Sequence, residues 1–89
     1  KIKDYDVVAT FADYAINEVA RYFINKHKAE IGIVVNKKAK VVSFRRAKQS
    51  KIDVSILAKT LCDGGGSVAA AGGKLTEKFG ELTKQFKLC

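Results

Sequence analysis

Two groups of residues could do chemistry together. The first is Ser43 and Arg45, two apart in Val42-Ser43-Phe44-Arg45, a run with the β-branched and aromatic content of a strand. At that spacing a strand turns both side chains to one face. A hydroxyl and a guanidinium there can hold one phosphate, the arginine through its bidentate fork. Taken alone, the pair is better explained by a solvated turn carrying an ordinary exposed arginine. The second group tips the balance. Asp63 to Gly73 holds five of the seven glycines, as Gly64-Gly65-Gly66 and Gly72-Gly73, with Ser67 and three alanines between them. Glycines let backbone approach a ligand closely. Small residues after them can start a short helix, whose N-terminus favours an anion. A flexible linker is the blander reading. Against it, the run is not a Gly/Ser repeat, and apolar periodic segments flank it on both sides.

Charge agrees with an anionic ligand. The chain has 89 residues and a formal net charge of +8. No acidic residue lies between Glu30 and Asp53, where Lys37, Lys38, Lys40, Arg45, Arg46, Lys48 and Lys51 all fall. Such clusters suit phosphate contacts, with Arg46 and Lys48 in a secondary role behind Arg45. A lysine-rich solvated surface would look similar, so charge alone decides little. Other chemistry finds little footing. His27, the single histidine, ends a helical pattern among lysines and reads as a solvated cap. No carboxylate pair, histidine–carboxylate cluster or zinc spacing is present, so no catalytic residue and no metal ligand set is expected. Cys62 and Cys89 are expected to be free thiols in a reducing, cytoplasmic setting. The first residues do not resemble a signal peptide. No apolar run approaches the ~20 residues that span a bilayer.

The elements that must position these residues follow from periodicity. Asp6–Phe11 is predicted as a strand buried on both faces. Asp13 is expected to cap a helix reaching His27, with Ala15, Ile16, Val19, Ala20, Phe23 and Ile24 on one face. Ile31–Val35 and Val41–Arg45 are two further strands, joined by Asn36–Ala39 as a hairpin. Ala47–Lys51 is a polar loop. Asp53 caps a second helix carrying Val54, Leu57, Ala58 and Leu61, with Gly64 as its C-cap. After the glycine run and its short helix, Lys74-Leu75 is a possible short strand. Thr76 then caps a last helix with Phe79, Leu82 and Phe86 on one side. The order implies one small α/β domain over residues 1–89, with helices over a mixed sheet.

Three pieces in this order are specific in combination: Val42-Ser43-Phe44-Arg45; Ile52-Asp53-Val54-Ser55 with Leu57-Ala58; and Asp63-Gly64-Gly65-Gly66-Ser67 with Ala70-Ala71-Gly72-Gly73. Together they resemble the DHH-associated C-terminal domain of the DHH phosphoesterase superfamily, which includes RecJ-like exonucleases, oligoribonucleases and phosphoadenosine phosphatases. The likeness runs from the first strand to the last helix. It implies a substrate-binding domain across a cleft from a separate N-terminal DHH catalytic domain that would carry manganese. The ligand would be a nucleotide or short single-stranded nucleic acid, with no membrane involved. Carried over, it assigns substrate binding to Ser43, Arg45, Gly64, Gly65 and Gly66. The family usually has histidine where this chain has Ser67, which implies either weaker phosphate or base binding there or altered specificity. The Asp-His-His segment is not in this chain. A second resemblance, around the glycines, is to the tRNA-engaging C-terminal domain of alanyl-tRNA synthetases, which implies a lone nucleic-acid-binding module.

Overall fold

Ile31-Gly32-Ile33-Val34-Val35 has no polar side chain, and a strand of that kind must be covered on both faces. In the computed structural model, which describes residues 6–48, 50–77 and 79, it forms most of β2 (Ile31–Asn36), buried from Ile31 to Val35. β1 (Val7–Phe11) precedes it and pairs with it in parallel, the connection being helix α1 (Ile16–His27). β3 (Val41–Arg46) returns antiparallel to β2. The turn between them is held by Asn36, whose Oδ1 accepts from the Ala39 N–H at 2.9 Å. Helix α2 (Val54–Cys62) follows, then β4 (Gly65–Gly66) and β5 (Ala70–Lys74). The five strands form one mixed sheet in the order β1-β2-β3-β5-β4. The chain is thus a small α/β domain.

Helices α1 and α2 take opposite faces of this sheet. Alternation along β3 sends Val42 and Phe44 towards α2 and Ser43 and Arg45 towards the α1 side. The α2 side holds the larger core. Ile33, Val42 and Phe44 pack there with Val54, Leu57, Ala58 and Cys62. Phe79 closes this core edge-to-face on Phe44, with ring centroids 6.1 Å apart. On the α1 side Val8, Ile24, Ala29 and Ala47 make a smaller cluster.

Both helix starts differ in kind. Asp53 caps α2 as expected, accepting from the Ser55 N–H at 3.0 Å. Asp13 does not cap α1. The helix begins at Ile16, and its cap is Ala15 in the left-handed region (φ 52°), with no side-chain acceptor. At the end of α2 the left-handed residue is Asp63 (φ 51°), not Gly64. Gly64 instead donates its N–H to Ala58 O at 3.0 Å, which closes the last turn.

The glycine–alanine run departs most from expectation. No helix starts directly after Gly66. The run forms the β4–β5 hairpin, with β5 antiparallel to both β3 and β4. The five residues between Gly66 and Gly72 are too few to nucleate a helix, and the free edge of β3 takes up backbone groups of Ala70–Lys74 that face it. Lys74 ends β5, so the strand anticipated at Lys74-Leu75 lies earlier and is longer. Thr76 does act as a cap, its Oγ1 accepting from the Phe79 N–H at 3.2 Å. Leu82 and Phe86 lie outside the described residues.

The glycines now have a packing reason. A Cβ on Gly64 would lie 2.0 Å from Gly72 O and 2.6 Å from Gly73 Cα, which is backbone that cannot yield. A Cβ on Gly65 would meet nothing nearer than Lys59 Cε, at 4.0 Å. Urea unfolding should therefore separate two adjacent substitutions. Gly64→Ala is expected to lose about 2–3 kcal/mol by overpacking. Gly65→Ala should be neutral or gain up to about 1 kcal/mol through the unfolded chain. Equal midpoints for the two variants would refute this packing account.

Candidate functional site

The charge run of the β3 exit meets helix α1 across an open cavity of about 490 Å³. Arg45, Arg46 and Lys48 line it from β3 and the following loop, Asn17 and Arg21 from α1, and Ala69 and Ala70 from the start of β5 and the turn before it. Among the described residues, no carboxylate lines it. Asn17 and Arg21 stand four apart, so one face of α1 presents both.

Arg45 is held in place rather than free. Its Nε–H donates to Asn17 Oδ1 at 2.8 Å, and Nη1 donates to Phe44 O at 2.9 Å and Ala71 O at 3.2 Å. Burial lowers its pKa from the ordinary value, but an arginine stays charged. Among the described residues no acceptor takes the two hydrogens on Nη2. The bidentate fork expected from sequence is therefore half occupied by the protein itself. Arg46 also has a structural partner, with Nη1 donating to Ile52 O at 3.2 Å. Lys48 and Arg21 are exposed.

The remaining expected site residues fall elsewhere. Ser43 is half-buried on the α1 side of β3, in a row that crosses the sheet as Thr10, Val34, Ser43, Gly72 and Gly65. Ser43 and Gly65 are therefore two strands apart on one face, beside the cleft and not among its lining residues. Gly64 is packed against β5, and Gly66, at φ 146°, lies opposite Ala71 on the edge strand. Ser67 closes the hairpin turn. Its Oγ donates to Ala70 O and accepts from Ala70 N–H, both at 3.1 Å. Because the β4–β5 hairpin replaces the short helix expected at Ser67, Ser67 does not lie at a helix N-terminus. Asn17 and Arg21 were missed by sequence reasoning. The available signal was their place flanking the apolar stripe of α1, next to Ile16 and Ala20.

Among the described residues, no three His, Cys, Asp or Glu side chains come together, and no helix is long and apolar enough to cross a membrane. The Cys62 thiol is buried and is pushed up to about 11, first by burial and then by the charge of Asp63.

No protein-family model matches this chain, and no curated protein matches it. Among solved structures it is similar to the crystal structure of an uncharacterized protein from Helicobacter pylori G27. The TM-score is 0.73 at 24% identity, covering 96% of this chain and 25% of that one. The likeness is one of fold. The chain spans about a quarter of that protein's length.

The thiol gives a test of the burial beside the hairpin. In a Cys89→Ser variant at pH 8, Cys62 should resist iodoacetamide until urea unfolds the protein. Its pKa is raised in the fold, from an ordinary value of 9.0 to about 11. The stability it supports is complete below pH 9 and falls as pH rises towards 11. A Cys62→Ala variant should lack that part of the alkaline loss. Rapid alkylation of the native thiol would contradict the assignment.

Proposed function

We propose that this domain holds the phosphate groups of a nucleotide or short single-stranded nucleic acid in the cleft between α1 and the β4–β5 hairpin. One observation carries the reading: Arg21, Arg45, Arg46 and Lys48 converge on one cavity that no carboxylate lines among the described residues. Uncompensated positive charge in a concave site raises the local concentration of anions. A guanidinium with open N–H groups gives a charge-assisted hydrogen bond to phosphate. The Ser43–Arg45 spacing and the glycine run, which resemble the DHH-associated domain, support a place as the substrate-holding part of a phosphoesterase. The catalytic, manganese-dependent DHH domain would then be a separate unit. The fold's occurrence as a quarter of a longer protein supports a role beside other domains.

The chemistry divides the labour. Arg45, half-buried and held by three hydrogen bonds, offers a fixed positive contact. Exposed Arg21 and Lys48 supply attraction at longer range, which salt screens.

Titration with inorganic phosphate, AMP and a 5′-phosphorylated dinucleotide tests the reading. All three should bind, the dinucleotide most tightly. Arg45→Ala should lose about 1.5–3 kcal/mol of binding, the range for a hydrogen bond to a charged group. Lys48→Ala should lose less than about 1 kcal/mol, as exposed charges do. Equal losses would mean a diffuse basic surface. Binding of tRNA without the short probes would favour the lone RNA-binding module.

A further inference from the structure

The Asn17–Arg45 contact has a direction that constrains both side chains. Arginine has no acceptor, so the atom of Asn17 that meets Arg45 Nε–H at 2.8 Å must be its amide oxygen. The amide nitrogen, with its two hydrogens, then points away from Nε. Asn17 lines the cleft and is exposed, and among the described residues nothing accepts from its Nδ2. Arg45 is fixed from the other end by Phe44 O and Ala71 O, so its open nitrogen is Nη2. The oxygen of Asn17 sits on the Nε side of the guanidinium, where one arm of a side-on phosphate would otherwise bind.

We propose that Asn17 is a phosphate-binding residue of this cleft, aiming Arg45 through Oδ1 and donating to the ligand through Nδ2. The inference rests on the phosphate-binding reading above and names a donor that the motifs did not indicate. A phosphate then meets a mixed pair, one charged nitrogen from β3 and one neutral amide from α1, instead of a guanidinium fork. A carboxylate at position 17 would accept from Nε equally well but would remove both donors and oppose the ligand's charge. Arg21, one turn further along α1, adds long-range attraction.

The test uses Asn17→Ala and Asn17→Asp, with the 5′-phosphorylated dinucleotide as probe and Arg45→Ala as reference. The Asn17–Arg45 contact is exposed, so water can replace Oδ1, and alanine is the better helix former; the unfolding midpoint of Asn17→Ala should therefore fall only slightly. Its affinity should drop about tenfold, as for a lost hydrogen bond to a charged partner. Asn17→Asp should bind more weakly still. Without any ligand, the Arg45 Nε–H resonance should be protected from exchange in the parent and in Asn17→Asp, and lose that protection in Asn17→Ala. Unchanged or tighter binding by Asn17→Ala, with Arg45→Ala still impaired, overturns the role of Asn17 and leaves the cleft intact. So does parent-like affinity in Asn17→Asp. A parent that binds none of the phosphorylated probes overturns both readings, whereas loss of Nε–H protection in Asn17→Ala would still establish the aiming contact.

Discussion

Backbone laid directly on backbone is the constraint from which the rest of this fold follows. The chain leaves α2 through Asp63 in the left-handed region, and Gly64 then lies so close to Gly72 O that no β-carbon fits. That contact sends the chain back over β5, and β5 fills the open edge of β3. The hairpin turn between β4 and β5 is then tied at two points. Val68 O accepts the Val54 N–H, one of the orphan donors at the start of α2, at 2.9 Å. Ala69 O accepts the Arg46 N–H at 3.2 Å. One wall of the cationic cleft, at Ala69 and Ala70, therefore stands where the glycine packing puts it.

The sequence was most legible where side chains carry a period. The apolar run at Ile31–Val35, the stripe of α1 and the Val54, Leu57, Ala58 spacing of α2 lead to the observed elements, because burial sets those patterns. Legibility ends where side chains end. Glycine and alanine are poor strand formers in isolation, so Ala70–Lys74 carries no strand signature of its own. Its conformation comes from the partners on either side, a tertiary fact. The same limit applies to the site. Arg45, Arg46 and Lys48 share a cleft and were visible as a charge run without acids. Asn17 and Arg21 come from 24 or more residues earlier, and only the packing of α1 on the sheet shows which flank of the helix they occupy.

The two faces of the sheet are unequal, and this inequality makes room for a site. On the α2 face, Phe44, Val42 and Ile33 are sealed beneath α2 and Phe79. On the other face, the cluster around Ile24 involves β1, the end of α1 and Ala47, while Ser43, Gly72 and Gly65 continue the sheet surface beyond it. Arg45 stands at that border. Its stem can lie along the sheet while its head reaches the cleft, as long cationic side chains commonly do.

The partners chosen for Arg45 decide what its charge can still do. A half-buried guanidinium needs acceptors, because polar groups removed from water without hydrogen bonds are costly. A carboxylate would meet that need and also cancel the charge. Here the acceptors are Asn17 Oδ1, Phe44 O and Ala71 O, all neutral. They offset the desolvation and fix the orientation, yet leave a full positive charge facing a cleft that Arg21, Arg46 and Lys48 also line. A positive site held by neutral acceptors is what the proposed phosphate-binding reading requires.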